Sequence, residues 1–267
     1  MVKRYAAANG GTNAINIAWN TLFAFFPIIL LITTILTAVF GGAQVGSSID
    51  QNIQSVIPGD QGAEIVNALH SFHKAAGPLL ALSIVGLLWT GTSLFGALEQ
   101  GLDALVPGKR RSFVRQKLMG VLMIVVFTVL VALNIGSASL LSLVTHLPNV
   151  PSFVHSGAAA TIIQATFGVV DGLLLFAAIF VIVPARRIRL RDVLPGTITA
   201  AVLFEAFTLL FPLYFSLQHG FTTYGTTFAL FFLLLTFALW VAQIVMFGGA
   251  VNAESGGGSS TAAVRAQ

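Results

Sequence analysis

Apolar residues along this chain fall into six long blocks separated by short polar stretches. The blocks are Ala14–Phe40, Pro78–Leu98, Leu118–Val144, Ala158–Val183, Val193–Phe215 and Tyr224–Val251. Each is at least as long as the roughly 20 residues a helix needs to cross the hydrocarbon core at 1.5 Å per residue. The pattern predicts an all-α, polytopic membrane bundle of six transmembrane helices. Because six is even, both chain ends are expected on one side. The loop Gly41–Gly77 has a pattern of its own. Val45, Ile49, Ile53 and Val56 recur at helical spacing, Pro58-Gly59 breaks the run, and Asp60 can cap a second turn of helix with Ile65, Leu69 and Phe72 on one face. Two short amphipathic helices are expected there, lying over the outer mouth of the bundle. Residues 1–254 read as a single membrane domain. The Gly/Ser-rich run Ser255–Ser260 opens an expected flexible tail, 255–267.

Composition sharpens this picture. Of 267 residues, 56% are hydrophobic and 8% charged, against about 25% charged in a typical soluble domain. Mean hydropathy is +0.91. A water-facing surface cannot be built from so few charges. There is no cysteine, which removes disulfides, thiolate metal sites and cysteine nucleophiles together.

The net charge of +4 is distributed unevenly. Of the 13 basic residues, only Lys74 falls on the opposite side from the rest, which cluster before block 1, between blocks 2 and 3, between blocks 4 and 5, and in the tail. By the positive-inside rule the topology is N-in and C-in, with the basic loops cytoplasmic. The positive charge therefore reports topology, and nucleic acid is not an expected partner. Anionic inner-leaflet lipids are, through Arg186, Arg187, Arg189 and Arg191, with Arg110 and Arg111 on the neighbouring loop. Lys3 and Arg4 ahead of an apolar run imitate a secretory signal, but the run is far longer than the 7–15 residues of such a segment.

Several stretches carry a family resemblance. Ala18-Trp19-Asn20-Thr21-Leu22-Phe23-Ala24-Phe25-Phe26-Pro27 resembles the A-Y-Y-T-L-L-S-L-F-P signature of the YihY/BrkB family of bacterial inner-membrane proteins. Trp89-Thr90-Gly91-Thr92, with Ala97-Leu98 and Asp103, is similar to its second-span segment. Arg189–Gly196, with Phe204-Glu205 and Phe211–Tyr214, resembles its basic loop and fifth span. Tyr224-Gly225 and Phe247-Gly248-Gly249-Ala250-Val251-Asn252-Ala253 resemble its ending. Two tyrosines of the first motif are replaced here by Trp19 and Asn20, and the acidic residue of the last is Ala250. The resemblance implies an all-helical protein of the bacterial inner membrane. Relatives are described as transporters and as virulence-associated proteins, and long carried the label ribonuclease BN.

The nuclease label fails a chemical test. Metal-dependent hydrolysis needs clustered histidines and carboxylates. The histidines, His70, His73, His146, His155 and His219, all fall in expected outer loops, away from cytoplasmic RNA. No HExxH, phosphate-binding loop or nucleophile elbow occurs. No catalytic residue, metal site or cofactor is assigned. His70 and His73, at i and i+3, supply two ligands where a structural zinc site needs four. A pH or metal role for the outer histidines stays open at this point.

The candidate chemistry lies inside the blocks. Asp171 precedes Val183 by 12 residues and Glu205 follows Val193 by 12. Each acid is then about 18 Å from the basic loop. On antiparallel neighbouring helices the two are level. A carboxylate at that depth usually faces the bundle interior. Two facing one cavity would favour a proton or a cation held between them. Asn20, Thr21, Trp89, Asn134, Tyr214 and Tyr224 complete the expected pathway, and each also fits plain packing between helices. Two functions compete: a transporter or lipid/amphiphile translocator, and a non-transporting structural or envelope-assembly protein. A homo-oligomer is compatible with either. A polar cavity reaching Glu205 would favour transport, a solid interior the scaffold, and a lateral opening a lipid substrate.

Overall fold

The computed structural model describes residues 1–40, 50–51, 53–54, 62–67, 76–106, 111–145, 157–186, 188–217 and 226–265. Its main elements are helices: α1 (Val2–Ala7), α2 (Gly10–Phe40), α3 (Ala76–Leu105), α4 (Phe113–Thr145), α5 (Gly157–Ile182), α6 (Leu190–Leu217) and α7 (Thr226–Arg265). No strand occurs among the described residues. The described part of each apolar block lies on one long helix, to within a residue at its end. Several helices outrun their block toward the basic residues, as α3 does to Leu105 and α4 from Phe113. The extra turns carry Asp103, Arg115 and Lys117. A helix satisfies its own backbone whatever its side chains are, so loss of hydropathy does not end it. α7 likewise runs on through the Gly/Ser stretch to Arg265, into the tail that the sequence reads as flexible. Ser255 turns its hydroxyl back onto the Val251 carbonyl at 3.1 Å. Pro27 and Pro212 are accommodated inside α2 and α6.

Among the described residues, three stretches are long and apolar enough to cross a membrane: Phe113–Leu130, Leu190–Leu213 and Leu230–Ser255. Gly168–Ile182 forms a shorter apolar helix segment.

The six long helices form a closed ring. Each packs on its sequence neighbour, and α7 returns against α2. Neighbours run antiparallel. Gly91 meets Ile124 while Gly96 meets Gln116; Gly172 meets Ala201 while Gly168 meets Glu205; Gly196 meets Gly248 while Phe207 packs on Phe237. One end of the ring therefore gathers α1, the α3–α4 and α5–α6 connections and the far part of α7. Asn9 turns the chain between α1 and α2 with φ 50°, a left-handed conformation that asparagine tolerates. α1 is then held beneath α7: Arg4 donates to the Ala253 carbonyl and the Tyr5 hydroxyl to Gln243 Oε1.

The interior at this end is solid. Leu98, Leu102, Leu105, Phe180 and Met246 are buried together, with Leu102 and Leu105 lying on Gly249. A second apolar cluster joins Leu22, Phe211, Leu230, Leu233 and Leu234 with Ile65. Ile65 sits in a helical turn at 62–67 and is fully buried, as the expected outer helix requires. Its companions Leu69 and Phe72, and the cap Asp60, lie outside the described residues.

The closest crossing is between α6 and α7. The Gly196 N–H donates to Asn252 Oδ1 at 2.6 Å, and the two backbones touch through Gly196 and Gly248. A methyl group at Gly196 would collide with the Gly248 carbonyl and the Asn252 side chain. Backbone must then move, at a cost of about 1–3 kcal/mol or more. Gly196→Ala should lower the melting temperature of the purified protein by at least roughly 3 °C, whereas Gly11→Ala, which meets nothing within 4 Å, should leave it unchanged or slightly raised, as alanine is the better helix former. Equal melting of Gly196→Ala and wild type would contradict this packing.

Candidate functional site

Two groups of polar residues stand out, one between α5 and α6 and one at the basic end. At the first, α5 carries Gly168 and Gly172 four residues apart, the small-x-x-x-small spacing that lets helices approach closely. Ala201 Cβ lies 4.0 Å from where a Cβ at Gly172 would sit. Glu205 Oε2 lies 3.9 Å from the same point at Gly168. The Glu205 side chain is therefore turned onto α5, one helical turn from Asp171. Both acids are half-buried. Phe204 packs edge-on against Phe176 beside them, 5.7 Å between ring centres. In this register Glu205 is level with Gly168, so it stands about one helical turn farther from the basic loop than Asp171, and the expected equal depth of the two acids is off by that turn.

Of the other expected pathway residues, Asn20, Thr21 and Trp89 do not join them. Asn20 Nδ2 donates to Asn16 O at 2.8 Å and Thr21 Oγ1 to Ile17 O at 2.8 Å, so both amide and hydroxyl are satisfied within α2. Trp89 is 74% exposed on the outer face of α3, under the Lys117 ammonium at 5.7 Å. Lys117 also donates to Thr92 Oγ1 at 3.1 Å. Asn134 and Tyr214 lie on α4 and α6 with side chains outside the described set. Tyr224 and all five histidines lie outside the described residues. Among the described residues no group of three metal-ligating side chains occurs.

The second group was not visible in the sequence. Arg111 Nη1 donates to the Val183 carbonyl at 3.0 Å, and Nη2 to those of Ile182 and Pro184 at 3.0 and 2.8 Å. One guanidinium thus occupies the carbonyls that the C-terminus of α5 leaves unpaired, where a cation also complements the helix dipole. It stands 3.7 Å from Glu99 Oε1. Asp103 Oδ1 accepts the Ala185 N–H at 2.9 Å. The lipid-facing role expected of Arg111 needs correction: its donors are spent inside the protein, tying α4 to α5. Arg186, Arg189 and Arg191 are exposed, while Arg110 and Arg187 lie outside the described residues.

Glu99 is 3% exposed, and its Oε2 has no hydrogen-bond partner among the described residues. Burial pushes its carboxyl above the ordinary value of 4.5. Arg111 and a hydrogen bond with Gln116 pull the other way, and nearby Asp103 adds to the rise.

Comparison with known sequences fits this architecture. The pattern of the family described as "Virulence factor BrkB" matches residues 1–265. The chain belongs to the BrkB family. YfkH of Bacillus subtilis, named a ribonuclease-like protein, is 25% identical over 263 residues, covering 95% of this chain and 92% of the relative. A BrkB relative named UPF0761 membrane protein from Azotobacter vinelandii is 27% identical over 251 residues, covering 93% and 60%. One from Pseudomonas aeruginosa is 25% identical over 256 residues, covering 93% and 60%. The chain thus spans about three-fifths of the length of these UPF0761 relatives. No solved structure matches. The protein is a membrane protein of the BrkB/UPF0761 family, with helices able to span a bilayer.

Two of the stretches that carry the BrkB resemblance meet in space, and others are held against helices outside them. Gly196 of α6 lies on Gly248 and Asn252 of α7. Gly91 and Thr92 of α3 lie on Ile124 and Gly120 of α4. Asp103 closes the α5–α6 connection.

Two changes test the basic-end group. Arg111→Gln removes charge-assisted hydrogen bonds worth about 1.5 kcal/mol each. At roughly 2–4 °C per kcal/mol for a chain of this size, melting should fall by about 6 °C or more. Glu99 acts through pH. Its carboxyl binds a proton more tightly folded than unfolded, so its contribution is present below pH 4.5 and is lost as pH rises above that value. The melting temperature of Glu99→Gln relative to wild type should therefore climb from acid to neutral pH. A constant or falling difference would contradict a buried, reluctant carboxylate.

Proposed function

We propose that the protein crosses the bacterial inner membrane six times, with its basic end cytoplasmic, and translocates an amphiphile past the acids between α5 and α6. The observation that carries this is the Glu205 carboxylate turned onto Gly168, one turn from Asp171, within an apolar helix pair. A carboxylate facing lipid would be costly, and one turned onto a neighbouring helix near a second acid is placed to exchange a proton or meet a polar head group. Six antiparallel helices support the multi-pass topology, and the gathering of Lys3, Arg4, Arg111, Arg115, Arg186, Arg189 and Arg191 at one end supports its orientation. No enzymatic step is proposed, and the ribonuclease-like name belongs to YfkH.

One observation favours the scaffold reading. The interior at the basic end is filled by Leu102, Leu105, Phe180 and Met246, which leaves no wide central passage there. A path for an amphiphile would then run along the side of the ring, with the tail in lipid and the head group near the acids.

Purified protein in vesicles carrying a head-group-labelled fluorescent phospholipid decides between them. Transport predicts faster loss of inner-leaflet protection from an external quencher than in protein-free vesicles. Glu205→Gln should abolish the acceleration without changing the melting temperature, since the amide keeps the shape but cannot titrate. No acceleration by wild type, with any label, would leave the scaffold reading standing. Reporter fusions at Arg111 and Arg189 should score cytoplasmic, and an external score at Arg189 would overturn the orientation.

A further inference from the structure

The opposite face of α6 carries a different feature. Leu203, Ala206, Phe207 and Leu210 point away from Glu205 and, with Trp240, Gln243 and Phe247 of α7, line a cavity of about 820 Å³. Its walls belong to Leu190–Leu213 and Leu230–Ser255, two of the stretches apolar and long enough to cross a membrane. It extends roughly 12 Å along the helices, from Leu203 to Phe211, at 1.5 Å per residue. The ring of Trp240, 56% exposed, stacks on Phe207 at 6.0 Å between centres and forms part of the wall.

The cavity is apolar along its length and polar at one end. There α1 lies across it, contributing Val2 and Tyr5. The Tyr5 hydroxyl is joined to Gln243, so the polar atoms at the lip are paired with each other. On the same short helix Lys3 and Arg4 are exposed. Arg4 spends one donor on the Ala253 carbonyl, which holds the guanidinium at this end and leaves its other N–H groups available. Glu254 at this end pairs with the Met1 amino group and does not line the cavity.

An apolar slot on the outer side of two helices, crossed at its polar end by a short helix that carries exposed Lys3 and Arg4 beside it, matches one kind of molecule in shape and charge. We propose that this cavity is a binding site for one anionic phospholipid, its acyl chain between α6 and α7 and its phosphate on Lys3 and Arg4. The chain length available suits the proximal half of an acyl chain, with the remainder free in the bilayer. The site rests on α6 and α7 lying in the membrane and is independent of transport, because Glu205 faces the other side of α6.

Trp240 is a built-in reporter. The sequence has three tryptophans, so Trp19→Phe with Trp89→Phe leaves it alone. This variant is placed in vesicles containing graded fractions of phospholipid brominated on its acyl chains, as phosphatidylglycerol or as phosphatidylcholine. Brominated phosphatidylglycerol should quench Trp240 at a lower mole fraction than phosphatidylcholine. Removing cations by Lys3→Gln and Arg4→Gln should erase that preference, at about fivefold per residue. Ala206→Phe, which fills the slot from an exposed position, should reduce quenching by both lipids. The control keeps only Trp19, exposed on α2, and should be quenched equally by both. Equal quenching of Trp240 by the two lipids, with the control quenched, would overturn the site and leave the membrane reading intact. Quenching insensitive to Ala206→Phe would also overturn it. Quenching of neither tryptophan would overturn both.

Discussion

The ring depends on helices touching through glycine. Apolar helices surrounded by lipid gain little from hiding apolar surface, so close backbone approach and a few hydrogen bonds must hold them. At the α6–α7 crossing this reaches its limit: Gly196 and Gly248 bring two backbones together, and Asn252 accepts the Gly196 N–H. Farther along the same pair, Phe207 and Phe211 pack with Phe237, at 5.3 and 5.2 Å between centres. Glycines at one level and phenylalanines at the next set the helices close together and then apart. The same pair carries the apolar cavity on its outer side.

The α5–α6 contact uses the device differently. Gly168 and Gly172 make room on α5, and α6 fills it with Ala201 and then Glu205. A Cβ at 168 would stand in ordinary van der Waals contact with the carboxylate, 3.9 Å away, so only a side chain longer than alanine would press on it. α6 thus has one side carrying the acid and another lining the apolar cavity. At the basic end, the Arg111 guanidinium caps α5 and stands beside buried Glu99, fixing α3, α4 and α5 together where the interior is solid.

Much of this was legible in the sequence. The apolar blocks marked all six long helices, because 20 or more apolar residues leave few alternatives. Ile65 marked the outer helical turn, through spacing and a break at Pro58-Gly59. Counting residues back to one short loop brought Asp171 and Glu205 to within a helical turn of each other in level, but not to the same level. Other features were hidden for a physical reason. A helix apolar on every side has no preferred face in its sequence pattern, so nothing marked which side of α6 meets α5. Trp89 looked like a pathway residue because it is aromatic and within a span, yet its outward direction is set by rotation alone. Arg111 sits in a basic run with Lys109 and Arg110, and no local signal separates the arginine that caps a helix from those that face lipid. The Gly168–Gly172 spacing was present to be read, but its partner was not.

The register of α5 on α6 is the claim on which the acidic site stands. The chain has no cysteine, so one pair can be introduced cleanly. Gly172→Cys with Ala201→Cys places two Cβ atoms 4.0 Å apart, within the roughly 3.5–4.5 Å that a disulfide spans. In membranes treated with a mild oxidant, both thiols of this pair should be lost to maleimide labelling. Free thiols in that pair, with rapid oxidation of Gly168→Cys and Ala201→Cys instead, would shift α5 by one turn and separate Glu205 from its place on Gly168.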